Sequence, residues 1–405
     1  MIGLSYYAAG MGGWVLYAAP EVGARFCLIG ILGYALVCCL PMILMIFLGP
    51  FVQRALQGQP AFALTDWVRV RFGVILQVYV SLVSLAYMTI FMCVELVTFA
   101  GVFEKFAGIP VAHSISALSV LTCTIASLGG LSTSLLSQAV QGVVCATMLL
   151  AGFCYALSSV QDFEVVDRDP VKSVTAVGSL LLAVTGAELM NMTEWQRVWS
   201  ARDPKSLKYG LSLAIALVFC TVGCLGLIGY FAPSTYAEPF LDIIENGGII
   251  PSLALIFAML GLCTSTVDAL QQGVVSLVSN ILQNKHKSFT VGVFCAVNAV
   301  AALLACNLSM SLIRMFLIAD LLATCAAVPI FLGLFDFVTN KGAIAGCVSA
   351  LLAVYLFGYI AEGSASAGLE RFAVPGGLYA EDTLWLFSSA VTAAAVITVT
   401  VSKLT

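Results

Sequence analysis

The chain has 405 residues, of which 61% are hydrophobic and only 9% are charged, and its formal net charge is −4. Soluble domains carry about 25% charged residues, so this composition excludes a water-soluble enzyme. Apolar stretches recur along the whole chain, each near the roughly 20 residues that cross about 30 Å of hydrocarbon. The sequence therefore predicts an all-α polytopic membrane protein.

The apolar stretches predict about twelve transmembrane helices. In chain order they lie near residues 3–20, 23–49, 72–103, 109–127, 133–157, 173–194, 207–232, 248–282, 289–306, 308–335, 342–361 and 383–402. An even number of spans places both termini on one side of the membrane. Of the 17 Lys and Arg residues, eleven fall in loops on that side and five on the other. Because Lys and Arg favour cytoplasmic loops, we expect both termini in the cytoplasm, and the plasma membrane as the location.

The first five and the next five predicted helices occupy stretches of similar length. Five is an odd number, so two such blocks have opposite topology, which is the layout of inverted-repeat transporters. The sequence therefore predicts a first five-helix repeat, an extracellular loop, a second inverted repeat and two additional C-terminal helices, over residues 1–157, 158–172, 173–338 and 339–405.

Inverted-repeat transporters break the first helix of each repeat near the bilayer midplane. Helix 1 contains Gly10, Gly12 and Gly13, and each glycine costs a helix about 1 kcal/mol relative to alanine. Helix 6 places Gly186 next to Glu188 within an apolar span. These positions predict a break in each helix, with close helix packing as the alternative role of the glycines.

Catalytic and metal-binding patterns are missing from the sequence. The 14 cysteines are scattered without a CxxC pair, and the chain has only two histidines. Structural metal sites and disulfide frameworks need clustered ligands. The sequence has no HExxH motif, no paired aspartates at catalytic spacing and no phosphate loop. We expect no enzyme activity, no cofactor, no nucleic-acid partner and no obligate protein partner.

Five motifs occur in one order along the chain and resemble those of the sodium:solute symporter family, closest to its proline, urea and pantothenate carrier branches. They lie at Ala8–Trp14, at Leu64–Gly73, at Gly129–Leu131 with Gln141, at Gln196–Asp203, and at Thr264–Asp268 with Val278–Asn280. Each motif alone is weak, whereas five in the right order and spacing are a strong match. The resemblance spans nearly the whole chain.

The resemblance implies a LeuT-type fold of two inverted five-helix repeats, with alternating access around a midplane site. It also implies a sodium ion between helices 1 and 8. Its ligands would be three backbone carbonyls and two hydroxyls, those of Ala8, Met11, Leu262, Ser265 and Thr266. Oxygen ligands suit a hard cation such as Na⁺. The competing role of the two hydroxyls is a bond back to a carbonyl one turn earlier.

Two departures from the family pattern affect the expected number of ions. The proline-carrier branch has an aspartate at the position of Gly10, and a Thr-Asp pair at the position of Ser137 and Gln138. Since both missing carboxylates contribute to cation sites in relatives, we expect one coupling ion per cycle. The family's extra N-terminal helix is also missing from the sequence as given.

Charged side chains within the predicted spans are candidates for function, because a charge at the bilayer centre costs a few kcal/mol. They are Glu95, Glu188, Asp268, Asp320 and Arg314. Asp268 lies one helical turn after Ser265 and is a candidate coupling group that orients the hydroxyls or takes a proton, as is Glu188. Arg314 and Asp320 lie on nearly opposite helix faces, so we do not expect them to pair. The candidate substrate contacts are Gly10, Gly12, Trp14, Glu188 and Asn191.

These features predict a secondary active transporter that couples inward sodium movement to uptake of a small organic solute. Urea, proline or another amino acid, and a vitamin-like solute fit the resemblance. The segment Phe316–Leu322 followed by Pro329 favours the eukaryotic relatives that include urea carriers. Proton coupling through Asp268 or Glu188 is the nearest alternative. A non-transporting sensor is a further one, although such proteins usually have a cytoplasmic output module.

Overall fold

The computed structural model describes residues 1–56, 63–159, 168–282, 286–307 and 310–405, apart from the side chains of 129–132 and 287. Helices make up all the regular structure in these ranges. In the first half they are α1 (Ile2–Gly10), α2 (Val15–Arg25), α3 (Leu28–Ala55), α4 (Leu64–Phe72), α5 (Val74–Ala107) and α6 (Val111–Ser159). In the second half they are α7 (Pro170–Leu189), α8 (Met192–Ser200), α9 (Pro204–Phe231), α10 (Pro239–Asn246), α11 (Ile249–Leu282), α12 (Lys287–Asn307) and α13 (Leu312–Leu332). The chain ends with α14 (Asn340–Glu362), α15 (Ala365–Glu370) and α16 (Asp382–Leu404).

Eleven helical stretches of the described residues are long and apolar enough to cross a membrane. They match the predicted helices 2 to 12, and α6 contains two of them, Val111–Leu128 and Thr133–Ser159. The predicted first helix is divided into α1 and α2, neither of which is long enough to count by itself. The chain is an integral membrane protein.

Both predicted helix breaks are present, one of them at a different residue. The chain leaves the helix between Gly10 and Val15, at the glycine run. In the second half the break lies at Met190 and Asn191, not at Gly186. Gly186 stays helical and packs against Thr324 of α13, where a Cβ atom would overlap the neighbour. This glycine therefore has the close-packing role, and Asn191 starts the new helix.

Two short helices lie in segments that the sequence predicts as connections between spans. They are α4 and α10, which have nine and eight residues, and each directly precedes a helix of 34 residues. Asp66, Arg69 and Arg71 lower the apolar content of α4, so hydropathy alone does not reveal it. The same order of helices occurs in both halves of the chain: a broken helix, a long helix, a short helix and a 34-residue helix.

Small residues bring the broken helix 1 close to α9. Gly3 of α1 meets the backbone of Gly210, and Gly23 of α2 meets the backbone of Gly226, with no room for a Cβ atom. Helices in lipid gain little from hydrophobic burial, so such close backbone contacts provide van der Waals attraction instead. The halves α1 and α2 are thereby fixed on either side of the break.

The segment between α14 and α16 folds over one end of the bundle. It contains α15 and two 3₁₀ turns, Arg371–Ala373 and Gly377–Tyr379. The guanidinium group of Arg314 donates to the carbonyl of Ala373 at 3.0 Å and holds the segment on α13. Leu378 is 2% exposed and points into the interior of the bundle. Arg314 therefore anchors this segment and, as expected, does not pair with Asp320.

Candidate functional site

A cavity of about 890 Å³, including its open mouth, lies between the two helix breaks. Its wall is formed by α1, α2, α3, α5, α7, α8, α9 and α13 and by the segment that contains Leu378. The lining residues that bear on function are of three kinds: backbone at the first break, aromatic rings, and carboxylates. They are Gly10, Met11, Trp14, Tyr6, Tyr34, Tyr87, Phe91, Phe316, Glu188, Glu194 and Asp320.

Three carboxylates line this cavity and differ in how they are held. Glu188, just before the second break, accepts a hydrogen bond from the Tyr87 hydroxyl at 3.0 Å and one from the Asn191 amide at 3.0 Å. Glu194 is 1% exposed, and its Oε2 atom has no hydrogen-bond partner in the described part of the chain. Asp320, in the middle of α13, is 4% exposed and accepts no hydrogen bond from any residue that the structure describes. Two of the three carboxylates thus present unused oxygens to the interior.

Aromatic rings form one wall of the cavity beside Asp320. Phe316 lies one helical turn before Asp320 on α13. Its ring meets Trp14 edge-on at a centroid distance of 6.0 Å and Phe91 at 5.1 Å. Phe91 in turn meets Tyr87 at 6.0 Å. Aromatic faces attract cations through the ring quadrupole, so this wall favours the same sign of charge as the carboxylates do.

The cavity is electrostatically one-sided. None of its lining residues in the described part of the chain is Lys, Arg or His. Arg197 lies just outside the lining and is 2% exposed. Its guanidinium group donates to the Thr193 carbonyl at 2.7 Å, to Gln138 at 2.7 Å and to Ser5 at 3.3 Å, and it also interacts electrostatically with Glu194. Asp320, by contrast, interacts with the carboxylate of Glu188 and with no cation among the described residues. Burial of an unpaired carboxylate is costly, so the cavity suits a positively charged ligand.

Four of the five predicted sodium ligands lie together beside the first helix break. The Ser265 hydroxyl oxygen lies 2.7 Å from the Ala8 carbonyl and 2.8 Å from the Leu262 carbonyl, and the Thr266 hydroxyl lies 3.4 Å from the Ala8 carbonyl. The contact with Leu262 is the bond back along the helix that is the competing role of this hydroxyl. Met11, on the unwound segment, is 4% exposed. Hydroxyl and carbonyl oxygens from α1 and α11 therefore point at one buried place, and this arrangement suits a hard monovalent cation.

A polar network lies beside these ligands and contains Asp268. Its Oδ2 atom accepts hydrogen bonds from Ser134 and from the Gln138 amide, the latter at 3.2 Å. The carbonyl oxygen of the Gln138 side chain accepts from Arg197 and from Ser5. The other oxygen of Asp268 is buried and accepts no hydrogen bond from the residues that the structure describes. Gln138, one of the two departures from the family pattern, thus joins Asp268 to Arg197 and connects α6, α8, α11 and α1.

The predicted substrate contacts separate into two groups. Gly10, Trp14 and Glu188 line the cavity. Gly12 instead lies against the carboxylate of Glu95 on α5, and Asn191 is 2% exposed and supports Glu188 from behind. The coupling candidate Asp268 lies in the network described above, outside the cavity lining.

Sequence reasoning missed several residues of the cavity wall. Glu194 ends the predicted sixth helix, Tyr87 and Phe91 belong to no motif, and Phe316 is part of a motif but is not predicted to line a site. The available signal was the spacing of Phe316 and Asp320, which are four residues apart and therefore share one face of α13. Glu188 and Glu194 are six residues apart, which on a continuous helix separates them by about 120° around the axis and places them on different faces. The break at Asn191 removes that constraint.

Comparison with known proteins identifies relatives of the whole fold. The model of the sodium:solute symporter family matches residues 1–232. The "Spermidine transporter DUR31" of Candida albicans is 25% identical over 401 residues, which cover 93% of this chain and 76% of the relative.

Solved transporter structures show the same architecture. A Na⁺-coupled sialic acid symporter has a TM-score of 0.74 at 14% identity, covering 100% of this chain and 89% of that one. Mhp1, a nucleobase-cation-symport-1 family transporter, has a TM-score of 0.59 at 12% identity, with 100% and 91% covered. The Eremococcus coleocola manganese transporter has a TM-score of 0.61 at 10% identity, with 98% and 94% covered. The predicted all-α LeuT-type fold is confirmed.

Proposed function

Because the chain belongs to the sodium:solute symporter family, we propose that it couples inward sodium movement to the uptake of a small organic cation that carries at least one amine. Three carboxylates and an aromatic wall line a cavity whose described lining contains no basic side chain, and this observation carries the proposal. An ammonium group supplies N–H donors and a positive charge to carboxylate oxygens that have no hydrogen-bond donor of their own. The spermidine transporter among the relatives is consistent with this class of solute.

The neutral and zwitterionic solutes expected from the sequence are less well matched. Proline and other amino acids carry a carboxylate, which would lie near Glu188, Glu194 and Asp320 without a basic partner in the cavity lining. Negative charges that share one cavity repel each other strongly at low dielectric. Urea carries no charge and would leave Asp320 without a cationic partner among the described residues. The substrate class we propose therefore differs from the group favoured by the Phe316–Leu322 segment.

Sodium would bind outside the cavity lining, at the break between α1 and α2. The proposed ligands are the carbonyls of Ala8, Met11 and Leu262 and the hydroxyls of Ser265 and Thr266. Met11 belongs both to this set and to the cavity wall. Solute binding and sodium binding would thereby share one segment of backbone, and any coupling between them changes both affinities by the same factor.

One sodium ion per cycle supplies enough energy to drive the uptake of the solute against a concentration gradient. Movement of one charge through about 100 mV supplies about 2.3 kcal/mol, and a tenfold sodium gradient adds about 1.4 kcal/mol. A cationic solute also gains from the membrane potential when it moves inward. We propose the plasma membrane as the location, with both termini in the cytoplasm as the distribution of Lys and Arg predicts.

The test is uptake of radiolabelled solutes into proteoliposomes that contain the purified full chain. The panel is spermidine, putrescine, urea, proline and pantothenate, each with an inward sodium gradient and with potassium in its place. We expect sodium-dependent uptake of the two amines, inhibited by the other amine and not by urea or proline. Uptake of urea or proline alone would refute the cationic substrate. Uptake that follows a proton gradient and ignores sodium would assign coupling to Asp268 or Glu188.

A further inference from the structure

A fully buried carboxylate on α5 has no place in the cavity or among the proposed sodium ligands. Glu95 has no exposed surface. Its Oε2 atom accepts a hydrogen bond from the backbone N–H of Gly13 at 2.8 Å, across 82 residues of sequence. Its Oε1 atom is buried and has no hydrogen-bond partner among the described residues. A buried carboxylate aimed at an unwound backbone segment requires an explanation beyond packing.

The first helix break needs a partner that its own sequence does not supply. Helix starts leave backbone N–H groups without intrahelical partners, and Trp14 at the start of α2 makes no side-chain capping bond. At the second break Asn191 performs this task locally, because its side chain accepts a hydrogen bond from the N–H of Thr193. In the first half the residues from Ala8 to Gly13 have no polar side chain, so Glu95 supplies the acceptor from another helix.

Gly12 fits this arrangement and explains why a glycine is needed there. A Cβ atom on Gly12 would overlap both carboxylate oxygens of Glu95. The backbone of the break therefore lies directly against the carboxylate. By contrast, Gly10 has open space where its Cβ atom would lie. Gly12 permits the approach of Glu95, whereas Gly10 borders the cavity.

The contact reaches the proposed sodium ligands through two peptide units. Gly13 and Gly12 follow Met11 directly, so a fixed Gly13 N–H limits the orientation of the Met11 carbonyl. When this carboxylate is ionised, its attraction to a cation in an apolar interior is stronger than in water. The hydrogen bond from Gly13 and the charge of Glu95 therefore both act on the turn Met11–Gly13.

We propose that Glu95 is a positioning residue for the coupling ion. It holds the unwound turn Met11–Gly13 in the form in which the carbonyls of Ala8 and Met11 face Ser265 and Thr266, and its charge raises the affinity for sodium. This inference rests on the sodium coupling proposed above. A purely structural cap would stabilise α2 without altering the affinity for sodium.

Sodium-dependent thermal stability of the purified protein in detergent separates these roles. A ligand that binds the folded state raises the melting temperature according to its concentration and dissociation constant. The titration uses NaCl with choline chloride at constant ionic strength. Glu95→Gln keeps the size and a carbonyl oxygen that accepts from Gly13, but removes the charge. Gly12→Ala pushes the carboxylate away from the turn. Their matched controls are Glu104→Gln, exposed on the same helix, and Gly223→Ala, which has open space on α9.

We expect wild type and both controls to be stabilised by sodium, with Glu95→Gln and Gly12→Ala requiring at least about tenfold more sodium, equivalent to about 1.4 kcal/mol. Spermidine uptake at saturating sodium should then show a substrate KM within about twofold of wild type. If one of these two variants does not fold, the sodium titration of the other tests the proposal. A sodium midpoint equal to that of wild type in a folded variant overturns the role of Glu95 and leaves sodium coupling intact. Absence of sodium stabilisation in wild type overturns both.

Discussion

Replacement of Asp320 by Asn tests the cavity most sharply, because this carboxylate has no hydrogen-bond or ion-pair partner to lose among the described residues. Asp320 lies in the middle of α13, is 4% exposed, and borders the cavity beside the Phe316 ring. Asn has nearly the same shape, so the substitution removes the charge and leaves the packing. The only interaction removed on this account is the one with the solute.

The expected change in KM follows from the energy of a hydrogen bond between the solute and a charged carboxylate. A hydrogen bond to a charged group contributes about 1.5–3 kcal/mol, and 1.4 kcal/mol corresponds to a factor of ten. We therefore expect the KM for spermidine to rise about 10- to 100-fold in Asp320→Asn. Stability should move the other way, since removal of an unpaired buried charge relieves a desolvation cost. The melting temperature of the apo protein should be unchanged or higher.

The assay is initial-rate uptake of labelled spermidine in proteoliposomes at saturating sodium, with reconstituted protein quantified for each variant. Asp336→Asn is the matched control, because Asp336 is exposed just after α13. It should behave as wild type. A KM for Asp320→Asn within about twofold of wild type would refute the reasoning, as would a rise in KM accompanied by a lower melting temperature.

Three further results are expected. The double variant Ser265→Ala/Thr266→Ala removes two of five proposed sodium ligands, so the sodium concentration for half-maximal uptake should rise about tenfold or more, and an unchanged value would exclude these hydroxyls. Arg197→Gln leaves buried acceptors on three elements without their donor and should lower the free energy of unfolding by about 1–3 kcal/mol, measured by thermal denaturation in detergent. The sulfur atoms of Cys123 and Cys295 are 3.6 Å apart, so mild oxidation should join α6 to α12, which peptide mapping detects and Cys295→Ser prevents.

The transmembrane segments could be predicted from hydropathy because lipid imposes the same requirement on each one. Every span must satisfy its backbone hydrogen bonds internally and present an apolar surface, so the pattern is local in sequence. The last helix, predicted over residues 383–402, runs from Asp382 to Leu404. The glycine run of helix 1 is equally local, and the break lies where the sequence places it.

The second break shows the limit of such local reasoning. Gly186 and Asn191 are both plausible places for a helix to end, and the outcome depends on tertiary contacts. Thr324 of α13 occupies the space beside Gly186, so the glycine serves helix packing. Asn191 caps α8 and also binds Glu188. Propensity alone does not distinguish these two roles, because the deciding neighbour lies more than 130 residues away.

The cavity could be anticipated only in part for the same reason. Glu188 and Asp320 stand out in the sequence as charges within apolar spans, and both line the cavity. Glu194 belongs to a more polar stretch and does not stand out. Its approach to the other two depends on the break at Asn191 and on the packing of α13, neither of which hydropathy reports. The contact between Glu95 and Gly13 is likewise visible only in three dimensions.

Equilibrium binding of labelled spermidine to the purified protein tests the central claim most directly, because it involves neither gradient nor membrane potential. The measurement compares wild type with Asp320→Asn/Glu188→Gln, in sodium and in choline, with urea and proline as competitors. We predict saturable binding that sodium tightens, that urea and proline do not displace, and that the double variant loses. Displacement of spermidine by urea or proline, or binding equal in the double variant, would contradict a cavity built for an organic cation.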